Sequence, residues 1–292
     1  MADSTIEVTP NYAIGYYLMV LLGYLVYKTM NIPASDGSNQ EIVPPLIAAG
    51  FVMAIVGGEY MISVGMTKTA CGFEQWDIAA MYTLLPWVLI VGAVRMILMV
   101  RPGWLVPFSN TFGYFLASTI FGLTDVFRKL LKPGVNLSTA DKEDPIKASH
   151  ARDVERALQE IYEDESRLIN QFTPDNITAN IKKFSSAGLM YTSSEFNELP
   201  EYNGTPDAVV AALYASHIET IKKAVWFKLF VSEFLWLLLS GILAISVTYN
   251  YIMNYGCKLT PEQIALKDAK LSAISSANAN QTPVSNTTVI TD

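Results

Sequence analysis

The chain has 292 residues, 51% of them hydrophobic and only 16% charged, and carries a formal net charge of −7. An acidic balance argues against a nucleic-acid partner, which needs clustered Lys and Arg to release counterions, and so apolar a chain of this length reads as a multi-span membrane protein. The two cysteines, Cys71 and Cys257, form no CxxC pair and have no histidine nearby in sequence, so neither a zinc site nor a disulfide framework is expected, and no cofactor is called for.

Residues 1–11 are polar and acidic, without the basic region that opens a secretory signal, and read as a retained N-terminus. A first span covers Tyr12 to Tyr27 and ends at Lys28, with tyrosines gathered near both ends as they are at headgroup level. A second, Ile42 to Val64, opens on Pro44-Pro45, which the first turn of a helix tolerates. Within it Gly50, Ala54 and Gly58 recur every four residues, the spacing of a helix-packing face.

The third span, Ile78 to Val100, contains Pro86, which is expected to kink it and free a carbonyl that a neighbour must satisfy. Arg101-Pro102-Gly103 then forms a turn, and Trp104 to Leu123 reads as a fourth span, so that residues 78–123 make a membrane hairpin. Three charges fall inside spans: Glu59, Arg95 and, in the last span, Glu233. Intramembrane charge marks function by default. Helices two and three run antiparallel, which separates Glu59 from Arg95 by roughly 18 Å along the membrane normal. Each is therefore expected to snorkel or to pair elsewhere, while Glu59 and Glu233 fall on the same half of the bilayer.

Beyond Leu123 the chain turns basic at Arg128, Lys129 and Lys132, and a polar stretch follows. Val154, Leu158, Ile161, Leu168 and Phe172 mark a helical stripe beside an acidic run from Glu160 to Glu165. Thr173-Pro174-Asp175 and Thr205-Pro206-Asp207 each carry helix-start chemistry, with Thr as the expected N-cap. No breaker separates the second of these from the last span, Phe227 to Tyr249, so one long helix is expected there. Thr260-Pro261-Glu262-Gln263 opens a short helix before a tail rich in Ser, Asn and Thr.

The expected fold is all-α: a polytopic helical membrane protein of about five transmembrane helices with a small helical extramembrane domain. Its divisions are a four-helix membrane region (1–132), a polar helical domain (133–223), a fifth membrane helix continuous with the one before it (224–256), and a short helix with a flexible tail (257–292). The positive-inside bias puts the polar domain in the cytosol and, with five spans, Cys71 and Cys257 on opposite faces, where no intramolecular bridge is expected. The sequons at Asn280 and Asn286 would then face the lumen or exterior, open to glycosylation. No nucleophile, base and orienter group together, His150 and His217 read as ordinary surface residues, and no enzymatic activity is expected.

The run Arg101-Pro102-Gly103-Trp104-Leu105-Val106-Pro107-Phe108-Ser109-Asn110-Thr111-Phe112-Gly113-Tyr114, set between two apolar spans, resembles multi-span proteins of the large icosahedral DNA viruses that carry an internal membrane, the chlorella viruses among them. The resemblance implies a structural virion protein, a minor capsid component fastening a host-derived inner membrane to the capsid shell, with the lipid bilayer and shell or other minor capsid proteins as partners. Two alternatives stand beside it: a small ion channel or transporter using Glu59 and Glu233, and a membrane-remodelling assembly factor. Homo-oligomerisation is left open by every one of these readings.

Overall fold

The computed structural model describes residues 10–33, 43–133 and 145–254, with residues 265, 269 and 272. The expected helix at 260, the tail, and the sequons at Asn280 and Asn286 lie outside these residues. In chain order, α1 is Pro10–Met30, α2 is Pro45–Cys71, and α3 is Trp76–Val100. A 3-10 turn, Pro102–Leu105, leads into α4 (106–121) and α5, Leu123–Leu130. The polar region supplies α6, Pro145–Glu163; α7, Ser166–Ile169; α8, Ile177–Ser186; and α9, Ser193–Asn197. Last comes α10, Asp207–Asn254, unbroken over 48 residues. No strand occurs among the described residues, only an isolated antiparallel bridge between Leu131 and Met190.

Four of these helices, α1, α2, α3 and α10, are long and apolar enough to cross a membrane. Many of their large apolar side chains face outward, Leu46, Met53, Met19 and Met99 among them, where only lipid would cover them. The expected fourth span at Trp104–Leu123 is not among these four. It is divided into the 3-10 turn, one α-helical turn, a π-helical stretch Ser109–Gly113 and a short helix ending at Phe121. Nor does it fold back beside α3. The indole of Trp236 donates to the Trp104 carbonyl at 2.8 Å, Ser232 Oγ to the Leu105 carbonyl at 2.6 Å, and Phe121 packs edge-on against Phe227. Residues 104–121 therefore run along α10 toward its N-terminal half, away from the membrane bundle.

Cys71 is disulfide-bonded, against the expectation from the sequence that no bridge forms; the other cysteine, Cys257, lies outside the described residues.

Two adjacent tyrosines lock the membrane bundle in the same way. Tyr16 lies over Gly58 of α2 and donates to the Ala54 carbonyl at 2.5 Å; Tyr17 lies over Gly241 of α10 and donates to the Leu237 carbonyl at 2.6 Å. In both cases the ring covers a glycine and the hydroxyl reaches the carbonyl four residues before it. A Cβ at either glycine would fall 2.2 Å from a ring carbon. Gly50 of the expected small-residue face is exposed with no neighbour, so that face amounts to Ala54 and Gly58 receiving one tyrosine.

Pro86 acts as its position foretells. It cannot donate to Tyr82, the residue four before it, and the freed Tyr82 carbonyl accepts Thr248 Oγ1 of α10 at 3.0 Å. The strain is taken up by a π-helical stretch, Trp87–Gly92, immediately after the proline. Tyr82 also stacks on Tyr251, which fixes the far end of the bundle.

The polar region forms a head whose core does not stop at residue 133. Leu123, Phe127, Leu130 and Leu131 are fully buried with Leu158, Ile169, Phe172, Met190, Phe196, Ile221 and Ala224. Thus α5 and the end of α4, expected in the membrane region, belong to the head. Within it the helical stripe breaks between α6 and α7, where Asp164 accepts from the Ser166 amide at 3.0 Å. Thr173 does not cap α8, which begins four residues later; Asn176 Oδ1 instead accepts the Thr173 amide at 2.7 Å and closes a turn.

Candidate functional site

The principal charged site lies where α1, α3 and α10 meet on the head side of the bundle. Glu233 of α10 accepts Lys28 of α1 on one carboxylate oxygen and Arg95 of α3 on the other. Lys28 and Glu233 are nearly buried, with side chains 11% and 14% exposed, while Arg95 is 43% exposed. Lys28 Nζ also lies over the rings of Phe230 and Tyr24, at 4.6 and 5.5 Å from their centroids, faces that favour a cation. Sequence depth alone keeps Arg95 from Glu59, as expected. What it missed was the true partner, which required knowing that α10 runs beside both α1 and α3.

About one and a half turns nearer the head, Lys228 is buried at 2% exposure. Its ammonium donates to the Ile169 carbonyl at 3.0 Å, Asn170 Oδ1 at 3.2 Å and Asn110 Oδ1 at 3.4 Å. Three neutral acceptors match its three protons, and they come from the last residue of α7, the Asn170 that caps it, and α4. Lys228 is thus a bolt between head and membrane region, and Asn110 of the sequence motif finds its role there. Arg101, Pro102, Gly103, Trp104 and Pro107 are exposed; Trp104 adds a ring contact to Trp236.

Glu59 is 3% exposed in mid-α2, and its Oε1 has no hydrogen-bond partner. Thr83 Oγ1 and Trp87 Nε1 of α3 are buried and unpartnered as well. Glu59 neighbours Gly58, and so the Tyr16–Tyr17 level of α1, whereas Glu233 sits at Lys28. Eleven residues of α1 separate these levels, roughly 16 Å. The two carboxylates therefore do not share a site.

An apolar cavity of about 450 Å³ opens between α1, α2 and α3, lined by Tyr17, Leu21, Val52, Trp87, Val88 and, at its head-side end, Arg95. In the head, Lys132 donates to Glu195 at 2.6 Å, and Glu195 completes a capping box with Thr192 at the start of α9. Burial pushes the Glu195 carboxyl up, but the bonds from Lys132 and Thr192 outweigh it and hold it below the usual carboxylate range. His217 is half-buried, edge-on to Phe196 with Nε2 unpartnered, and burial with nearby Lys129 pushes its pKa down. Among the described residues no group of three or more His, Cys, Asp or Glu is placed to hold a metal.

No protein-family model, curated protein or solved structure matches this chain.

Proposed function

We propose that this is an architectural membrane protein, one that holds a protein layer at a fixed distance and orientation from a bilayer. The observation that carries the reading is α10, which contributes to the buried core of the head through Val210, Ile221 and Ala224 and to that of the membrane bundle through Ala244, Ile245 and Ile252. Its 48 residues span about 70 Å as one helix. Lys228 and the Glu233 cluster fasten it sideways to α1, α3, α4 and α7. A transporter needs parts that move against each other, and here the head and bundle share one rod.

The narrower reading places the chain in the inner membrane of a large icosahedral DNA virus, with the head or the tail touching capsid shell or other minor capsid proteins. It rests on the resemblance of residues 101–114. Four crossings, with Arg128, Lys129, Lys132, Lys222 and Lys223 on the head side, orient the head toward the cytosol and both termini to the opposite face. That face is the oxidising side of a secretory-pathway membrane, which suits the Cys71 disulfide.

One observation favours an ion pathway: the unpartnered Glu59. Glu233, however, is held by two cations and is not free to bind another. Cross-linking of the native particle or membrane, followed by mass spectrometry, tests the tether. Links from head lysines such as Lys182 and Lys183 to abundant shell proteins are expected. A small free assembly lacking shell partners, with ion flux in vesicles abolished by Glu59→Gln, would replace the tether with the channel.

A further inference from the structure

We infer that the crevice between α1, α2 and α3 is a binding site for one anionic phospholipid, its phosphate on Arg95 and an acyl chain along Trp87. Three observations converge on it. The first is charge: Lys28 and Arg95 share a single carboxylate, Glu233, which leaves one formal positive charge over at this site. An unbalanced charge at a membrane boundary is costly, and the deficit calls for an anion. The second is access. Lys28 and Glu233 are closed off, while Arg95 is 43% exposed and also lines the cavity, so Arg95 is the member able to meet that anion.

The third is shape. The cavity runs along α3 from Leu84 to Arg95 and holds about 450 Å³ between apolar walls. Eleven residues of helix cover roughly 16 Å, about half of the hydrocarbon thickness of a bilayer, which is the depth of one leaflet. Tyr17 and Trp87, packed edge to face at 5.3 Å, line its deeper half. An apolar slot one leaflet deep with a cation at its headgroup end has the form of a phospholipid of the head-side leaflet. A free phosphate would satisfy Arg95 and leave the slot unfilled; a neutral lipid would fill the slot and leave the charge.

The test uses the full chain, purified in mild detergent and equilibrated with equal amounts of dioleoyl phosphatidylglycerol and dioleoyl phosphatidylcholine, with retained lipid counted by native mass spectrometry. One phosphatidylglycerol per chain is expected, retained at least fivefold over phosphatidylcholine. Arg95→Gln restores a one-to-one charge balance and should abolish that preference. Arg101→Gln, which changes net charge equally at an exposed residue that does not line the cavity, should keep it. Val52→Trp, which fills the slot, should lower total retained lipid at least fivefold. Brominated phosphatidylglycerol should quench Trp87, seen as less quenching in Trp87→Phe. The assignment is overturned if only detergent is retained, if Arg101→Gln acts as strongly as Arg95→Gln, or if Val52→Trp leaves retention unchanged.

Discussion

The two intramembrane carboxylates differ in what surrounds them, and substitution should separate them. Glu233→Gln removes the acceptor of Lys28 and Arg95 together and leaves two cations without a counter-charge. Breaking a buried pair from one side costs about 3 kcal/mol, so the melting temperature in detergent should drop by several degrees, whatever the protein does. Glu59→Gln removes a buried carboxylate with an unpartnered oxygen and should be neutral or stabilising in the same assay. A tether is thus expected to tolerate the substitution at Glu59 and not the one at Glu233. A third residue reports on pH. Because the folded head lowers the pKa of His217, the folded state favours the neutral ring. No penalty exists above the unfolded value of about 6.5, and one grows as pH falls below it. Head stability should therefore decline from pH 6.5 downward, and His217→Phe should flatten that slope; an unchanged slope would remove His217 as its source.

At the scale of elements, the sequence disclosed whatever depended on local chemistry. Pro44-Pro45 mark the start of α2, Pro86 foretells a freed carbonyl, and the lack of proline after Pro206 foretells one helix to Asn254. What it withheld depended on partners far along the chain. Apolar content made Trp104–Leu123 look like an arm of a hairpin beside α3, because hydropathy does not tell which helix an apolar face lies on, and here it lies on α10. Buried Ser109, Gly113 and Ala117 face α10, which supplies their cover. The Thr192–Glu195 capping box carries a legible S/T-x-x-E spacing, yet the link of Glu195 to Lys132 is visible only in the fold. Two substitutions test the long-range contacts. Thr248→Val removes the hydrogen bond to the Tyr82 carbonyl and should cost about 0.6–2 kcal/mol, the range of hydrogen bonds between membrane helices. Gly241→Val, which forces Tyr17 off α10, should cost more and expose Tyr17 and Trp87, seen as a red shift in tryptophan emission.

For the whole molecule the decisive quantity is the parity of the crossings. Four crossings place the N-terminus and the segment after α10 on one face and the head on the other. Five place the N-terminus with the head. Between Glu233 and Asn254 α10 advances about 31 Å, one hydrocarbon thickness, and its N-terminal half contributes to the core of the head. The aromatic residues agree: Trp104 and Trp236 pack together near Glu233, and Trp76 and Tyr251 lie toward the other end of the bundle. In sealed vesicles with the head outward, protease should remove the head at Lys182 or Lys183 and spare epitope tags at both ends until detergent is added. Cys71 should appear in non-reduced peptides joined to Cys257. Digestion of the N-terminal tag together with the head would restore the fifth crossing, and the disulfide would then have to join two chains. The experiment thereby distinguishes a rod anchored by an even bundle from a hairpin with its head folded back, two shapes that present different faces to any layer outside the membrane.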